Sequence, residues 1–258
     1  MPSCHGILDW LDGGSMDRAS LSRESLEYMP HETIPIQYTD HLTAYTDILA
    51  AGGYRCALSG KWHMGDSMTP QHGFSHWYTI GGGGVRYFNP ETIEDGVLSE
   101  KEGYITDLIG ENALECLDRF SKEDAPFYLS VHFTAPHSPW EETDHKKEYL
   151  DLYRDCDFTA TPDLPYHPWQ VFTCPHGQGE RRKELLRGYY AAITAMDHQI
   201  GRLMDHRYLH LRQRHEPGPA RHLGQGKRDF PAKYVRQFCK GAFHRLLAGA
   251  FRERGCVQ

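Results

Sequence analysis

Features that mark several other classes of protein are missing from this sequence of 258 residues. It has no apolar run of about 18 residues or more, so we expect no membrane span. Its seven cysteines include no Cys-x-x-Cys pair, which argues against a zinc ribbon or a disulfide framework. Residues 1–5 carry neither the basic segment nor the apolar run of a signal peptide. The remaining composition, 39% hydrophobic and 24% charged, is that of an ordinary globular enzyme.

Charge is distributed unevenly along the chain. Residues 207–258 contain 12 lysines and arginines but only three aspartates and glutamates. This tail therefore carries a formal charge of +9 and the preceding residues −16, within a total of −7. We predict a boundary at this point, with residues 1–206 as one domain and residues 207–258 as a tail of different character.

The most informative stretch is GYRCALSGKWHMG, residues 53–65. It predicts a short buried strand that breaks at Gly60 and follows a helix over residues 41–51. Open α/β sheets place their sites in such loops, at the carboxyl ends of strands. Lys61 offers a positive charge and His63 a proton donor or acceptor, which together suit a tetrahedral oxyanion such as sulfate or phosphate. A strand-end turn with a packed Trp62 and a solvated lysine is the alternative.

A second predicted strand ends in the same way. The apolar run FYLSVHF over residues 127–133 predicts a buried strand, and it leads into APHSPW with His137 and Trp140. Apolar residues near a 3.6-residue period predict helices over residues 104–120 and 180–205. This alternation of helices and strands indicates an α/β fold. On residues alone, His137 fits a histidine that is satisfied within a proline-rich turn.

The sequence also resembles a known family. The pattern Gly-Tyr-Arg-x-x-x-x-Gly-Lys-Trp-His-x-Gly looks like the second signature of the sulfatases, although Cys56 stands where that family usually carries Ser or Thr. The resemblance covers roughly residues 1–206 and continues through PQHGF (70–74), TAPHSP (134–139) and YYAAI (189–193). It implies an alkaline-phosphatase-like fold, a doubly wound mixed sheet flanked by helices, and hydrolysis of sulfuric esters.

The resemblance assigns roles to four residues. Lys61 would bind a sulfate oxygen, and His63 would hold the sulfate or the hydroxyl of the nucleophile. His137 would contact the ester oxygen and serve the leaving group. Trp140, next to it, would contact the substrate. The family also implies a formylglycine nucleophile, a calcium ion and a sulfate ester of a small molecule or glycan as the partner.

The family's nucleophile motif, Cys/Ser-x-Pro-x-Arg, does not occur in the sequence, and Cys4 is followed by His-Gly instead. The acidic metal ligands that the resemblance places on the first strand are not found either. We therefore expect a chain truncated at its start, without the first strand of the sheet and without metal ligands, and inactive as a hydrolase. One alternative is a non-catalytic fragment that binds anions or glycans. A more distant alternative is a phosphodiester or phosphonate hydrolase of the same superfamily.

Three explanations compete for the basic tail: nucleic-acid binding, disorder and a shift of the reading frame. With suitable synonymous codons, residues 212–216 read one base later encode Asp-Asn-Gly-Met-Asn. Residues 233–246 treated in the same way encode Asn-Met-Tyr-Asp-Asn-Ser-Val-Lys-Val-Pro-Phe-Ile-Val. Both strings resemble the sulfatase segment that holds the last metal ligands and the strand after it. We therefore favour the frame shift and expect a poorly ordered tail and no nucleic-acid partner.

The frame shift predicts a difference of one base in the source DNA between codons 200 and 212. Resequencing from upstream of codon 1 through codon 258 measures it directly. We also expect an in-frame Cys/Ser-x-Pro-x-Arg motif just upstream of Met1. DNA that reads as given through the last codon would contradict the frame shift and leave the other two explanations of the tail.

Overall fold

The computed structural model describes residue 37, residues 39–80 and residues 85–213. Within them, helices and strands alternate along the chain. In order, they are α1 (Tyr45–Ala51), β1 (Arg55–Gly60), β2 (Phe74–Ile80), β3 (Glu91–Glu94), β4 (Val97–Glu100), α2 (Ile105–Phe120), β5 (Phe127–His132), α3 (Lys147–Leu150), α4 (Pro168–Thr173) and α5 (Gly179–Gln213), with 3₁₀ turns at Glu142–Asp144 and Asp151–Tyr153.

The five strands form one mixed sheet in the order β4-β3-β2-β1-β5. Strand β1 pairs in parallel with β2 and β5, whereas β3 and β4 run antiparallel. Helices cover both faces of β1. The thiol of Cys56 lies 3.8 Å from the Thr46 carbonyl of α1, and on the opposite face the Ser59 hydroxyl donates to the Ile109 carbonyl of α2. The predicted α/β fold, a mixed sheet flanked by helices, is confirmed.

Strand β1 is the buried centre of this sheet. Cys56, Ala57, Leu58 and Ser59 are all fully buried, because the strand has a neighbour on each side and a helix on each face. Its near-continuous apolar sequence is typical of such a strand. The site described below therefore begins at the end of the most enclosed strand in the described residues.

The strands β2, β3 and β4 were not predicted from the sequence. Within β2, Trp77 is buried. The β3–β4 hairpin turns at Asp95 and Gly96, which both have positive φ angles of 50° and 76°. This Asp-Gly pair is a strong hairpin signal between alternating apolar residues, so the hairpin was detectable.

Helix α5 begins at Gly179 and ends at Gln213, so it continues seven residues beyond the predicted boundary at residue 206. The rest of the tail, the glycines at residues 81–84 and the segment that contains Cys4 lie outside the described residues. None of the described helices combines the length and the apolar character of a membrane-spanning segment.

Gly60 is the residue of β1 that no other amino acid fits. Its φ is +115°, and a Cβ at this position would lie 2.0 Å from the carbonyl oxygen of His132. Gly53 also has a positive φ, +86°, but a Cβ there would meet nothing within 4 Å. The pair therefore separates the cost of backbone conformation from the cost of a backbone clash.

We expect Gly53→Ala to lower the free energy of unfolding by about 1–2 kcal/mol, the cost of a positive φ. Gly60→Ala should lower it by about 4 kcal/mol or more, because the methyl group also forces β1 and β5 apart. Unfolding in urea, followed by circular dichroism, measures both. Equal losses for the two variants would show that the contact with His132 is not a constraint.

Candidate functional site

The loops that follow β1 and β5 start from one point on the sheet. The last residues of the two strands, Gly60 and His132, are paired. The amide of Lys61 donates to the His132 carbonyl at 2.8 Å, and Nδ1 of His132 donates to the Lys61 carbonyl at 2.9 Å. His132, expected in the core, is in fact exposed and joins the two loops.

This pairing brings together three of the predicted site residues. The charges of Lys61 and His137 both act on the imidazole of His63, so the three side chains share one electrostatic environment. Two of them come from the loop after β1 and one from the loop after β5. Both loops follow the carboxyl ends of parallel strands, where open α/β sheets place their sites.

Lys61 is half-buried, and burial lowers the pKa of its ammonium group. No carboxylate of the described residues forms an ion pair with it, in contrast to Lys101, which pairs with Glu94 at 3.1 Å. A half-buried ammonium group loses hydration without compensation from a counter-ion. A bound anion would act as the counter-ion and compensate for the lost hydration.

The pKa of His63 is lowered, first by burial and then by the charge of Lys61 and the charge that His137 carries when protonated. The ring is therefore neutral near pH 7 and offers one N–H. Every charge that shifts it is positive, so the site has a local field that favours an anion.

Trp62 anchors the first loop, as the packing alternative had proposed. Its ring lies 5.1 Å from the ring of Trp77 and 6.4 Å from that of Phe74. Large aromatic contacts of this kind fix a loop to the core. The packed tryptophan thus holds the residues on either side of it, Lys61 and His63, at the end of β1, and the alternative of a merely solvated lysine does not describe the loop.

His137 is exposed at the tip of the second loop. Its Nδ1 lies 2.8 Å from the carbonyl of Ser138. A carbonyl only accepts, so Nδ1 carries the proton and Nε2 is the ring nitrogen that can face a ligand.

Side chains hold the carbonyls of this second loop. The hydroxyl of Tyr87 donates to the His137 carbonyl at 2.8 Å, and the indole N–H of Trp140 donates to the Pro136 carbonyl at 2.9 Å. Nε2 of His145 donates to the Pro139 carbonyl at 3.2 Å. Sequence reasoning missed Tyr87 and His145, since neither lies in a motif.

Trp140 is half-buried. Besides its hydrogen bond to Pro136, its ring packs edge-to-face on Tyr189 of α5 with centroids 5.8 Å apart. The structure thus places Trp140 as an internal support of the loop, and its contact with substrate stays a prediction.

The family model described as "Sulfatase" matches residues 19–222, most of the chain. The chain belongs to the sulfatase family. It is similar to the N-acetylglucosamine-6-O-sulfatase of Bacteroides thetaiotaomicron, 34% identical over 142 residues that cover 54% of this chain and 23% of that protein. It is also similar to an arylsulfatase of Klebsiella aerogenes, 28% identical over 213 residues, 67% of this chain and 45% of that one.

Solved structures show the same fold. Ps i-CgsB in complex with k-i-k-neocarrahexaose matches with a TM-score of 0.52 and 21% identity, over 71% of this chain and 40% of that one. BT33494S-sulf, from work on glycosaminoglycan metabolism by Bacteroides thetaiotaomicron, matches with a TM-score of 0.54 and 19% identity, over 66% and 39%. The alkaline-phosphatase-like fold of the sulfatases is therefore confirmed for the described residues. The chain spans about a quarter to a half of the length of the curated relatives it matches.

Sulfatases are a metal-dependent family. Among residues 37, 39–80 and 85–213, no three side chains of His, Cys, Asp or Glu come together in an arrangement that could hold a metal ion. The described residues do not by themselves fit a divalent cation, because hard cations need several oxygen ligands. No step proposed below runs through a metal.

The pH dependence of stability should report on His145. Burial lowers its pKa from 6.5 to about 4, so the unfolded chain takes up a proton at a pH where the folded protein does not. The stability that neutral His145 contributes is fully present above pH 6.5 and is lost as the pH falls to about 4, by about 3 kcal/mol.

This dependence can be measured by urea unfolding at several pH values across that window. His145→Gln keeps an N–H and a carbonyl oxygen but does not titrate, so its free energy of unfolding should fall less steeply with acidification. A variant with the slope of the wild type would show that His145 is not the titrating group.

Proposed function

We propose that the protein acts in the hydrolysis of sulfate esters and that Lys61, His63 and His137 bind the sulfate group. The observation that supports this most strongly is the half-buried Lys61, which has no carboxylate partner among the described residues and lies beside two histidines. The family match supports the reaction class. Since the chain spans less than half of each of the two relatives, the activity of the whole protein belongs to the proposal.

Each residue would contribute a different interaction. The Lys61 ammonium would donate to sulfate oxygens and neutralise part of their charge. Neutral His63 would add one N–H donor. His137 has committed its Nδ1 proton to Ser138, so only its imidazolium form can donate from Nε2 to the ester oxygen of the leaving group.

Hydrolysis also needs a strong nucleophile and charge neutralisation at the sulfate. The resemblance makes calcium the expected metal, and it would supply that positive charge when bound. The described residues provide no site for it, and the sequence has no Cys/Ser-x-Pro-x-Arg motif. We therefore propose that this chain of 258 residues binds sulfate groups without turning esters over.

The substrate class we propose is a sulfated carbohydrate. The support is the similarity to an N-acetylglucosamine-6-O-sulfatase. An aryl sulfate is the alternative within the same reaction. A non-catalytic fragment that binds anions or glycans would use the same three residues.

Sulfate should raise the melting temperature of the purified chain. At a concentration about ten times the dissociation constant, the stabilisation is about 1.4 kcal/mol, which corresponds to about 3–6 °C for a domain of this size. Lys61→Met should abolish the shift. Lys101→Met is the matched control, because it removes one lysine from an exposed ion pair with Glu94 and should keep the shift.

Sodium chloride at the same ionic strength separates a general salt effect from binding. A larger shift with phosphate than with sulfate would favour the phosphoester alternative. An equal shift in wild type and Lys61→Met would refute the site. Release of 4-nitrophenol from 4-nitrophenyl sulfate by this chain, lost in Lys61→Met, would contradict the proposed absence of turnover while supporting the site.

A further inference from the structure

We propose that Tyr87 and His145 are positioning residues, which fix the backbone of residues 136–139 and so set the direction in which His137 presents Nε2. The inference rests on the proposed function, since it assumes that His137 faces a sulfate group. Neither residue lies in the loop itself. Tyr87 precedes β3, and His145 follows the 3₁₀ turn Glu142–Asp144.

Four consecutive carbonyls of the loop each accept a hydrogen bond from a side chain. Trp140 donates to Pro136, Tyr87 to His137, His137 to Ser138 and His145 to Pro139. Two of these donors, Trp140 and His137, belong to the loop and move with it. Among residues 37, 39–80 and 85–213, Tyr87 and His145 are the two donors from outside the loop that connect these carbonyls to the surrounding core.

The direction of the hydrogen bonds around His145 is determined by chemistry. The Pro139 carbonyl can only accept, so Nε2 of His145 carries the proton. In the neutral ring Nδ1 is then an acceptor, and it lies 3.0 Å from the hydroxyl of Tyr104. The chain therefore runs from Tyr104 through His145 to Pro139, with each donor facing an acceptor.

Both positioning residues are rigidly held. Tyr87 is fully buried and His145 is 4% exposed. Their rings pack edge-to-face with centroids 4.4 Å apart, and the ring of Tyr104 lies 5.5 Å from that of Tyr87. A donor enclosed in this way keeps its direction, and the carbonyl that it binds keeps its position.

Helix α5 closes the other side of the loop. A Cβ at Gly188 would lie 1.9 Å from the Trp140 carbonyl oxygen and 3.1 Å from Cδ2 of His145. Just beyond the loop, Glu141 and Glu142 pair with Arg181 and Arg187 of the same helix. The loop therefore cannot move toward α5 when a hydrogen bond to one of its carbonyls is removed on its other side.

The test compares variants of the full chain. Tyr87→Phe removes one hydroxyl and keeps the ring, and His145→Leu removes both hydrogen bonds of His145. His145→Gln restores an N–H for Pro139 and an acceptor for Tyr104, so it is the rescue. Tyr149→Phe is the matched control, because Tyr149 is a buried core tyrosine whose hydroxyl bonds His198 and none of the loop carbonyls.

Two readouts are needed. The first is the dissociation constant for inorganic sulfate, which we expect to rise about tenfold in Tyr87→Phe and His145→Leu because Nε2–H of the His137 imidazolium, the form that can donate to sulfate, is misplaced. It should stay near the wild-type value in Tyr149→Phe and return toward it in His145→Gln. The second is the tautomer of His137 without ligand, read from ¹⁵N-histidine spectra and assigned by comparison with His137→Gln.

In the wild type the neutral ring of His137 should carry its proton on Nδ1, and Tyr87→Phe should shift the population toward Nε2. The inference is overturned if Tyr87→Phe and His145→Leu have the same sulfate affinity and the same His137 tautomer as Tyr149→Phe. If the wild type does not bind sulfate, the proposed function fails, and the tautomer alone then decides on positioning. A tautomer that changes in Tyr87→Phe supports it, and one that does not change refutes it.

Discussion

The candidate site depends on the close approach of two backbones at the end of β1. Gly60 and His132 are so near that a single methyl group would strike the His132 carbonyl, and the Lys61 amide and carbonyl are both bonded to His132. Neighbouring parallel strands that end at paired residues have adjacent loops after their carboxyl ends. Lys61, His63 and His137 can share a site because this contact keeps the ends of β1 and β5 close together.

The two loops are held in different ways. The first is held by apolar packing, since Trp62 contacts Trp77 and Phe74. This packing also fixes the position of the residues on either side of Trp62. The second has several prolines and few backbone amides available for regular pairing, so its carbonyls are met by side chains from the core. Packing fixes where a loop lies, whereas directional hydrogen bonds fix how it is oriented. A histidine that must direct one ring nitrogen at a ligand needs the second kind of support.

The parts of this structure that the sequence predicted are those with a local signal. Strands β1 and β5 and helices α2 and α5 follow from apolar patterns, and Lys61, His63 and His137 follow from their place after a strand and from the family resemblance. The supports of His137 have no local signal. Tyr87 lies 50 residues before His137. Its hydroxyl reaches the His137 carbonyl only once β2, β3 and α2 have formed. His132 shows the same limit, because its position within an apolar run favoured burial although its side chain bonds the neighbouring loop.

Both loops nevertheless have one carbonyl that accepts a hydrogen bond from a histidine outside the loop. Nδ1 of His132 donates to the Lys61 carbonyl, and its Nε2 lies 2.6 Å from the Ser130 hydroxyl. Nε2 of His145 donates to the Pro139 carbonyl, and its Nδ1 faces the Tyr104 hydroxyl. Each neutral imidazole thus accepts from a hydroxyl and donates to a loop carbonyl, a pairing that only one tautomer satisfies. A second proton on either ring would turn the hydroxyl's acceptor into a donor, and the hydroxyl would have to rotate away. In this one neutral tautomer both nitrogens of each ring have a partner, whereas the proposed donation from His137 to the leaving group needs an imidazolium. The two histidines at the second loop differ in burial, since His145 is enclosed in the core whereas His137 is exposed at the loop tip.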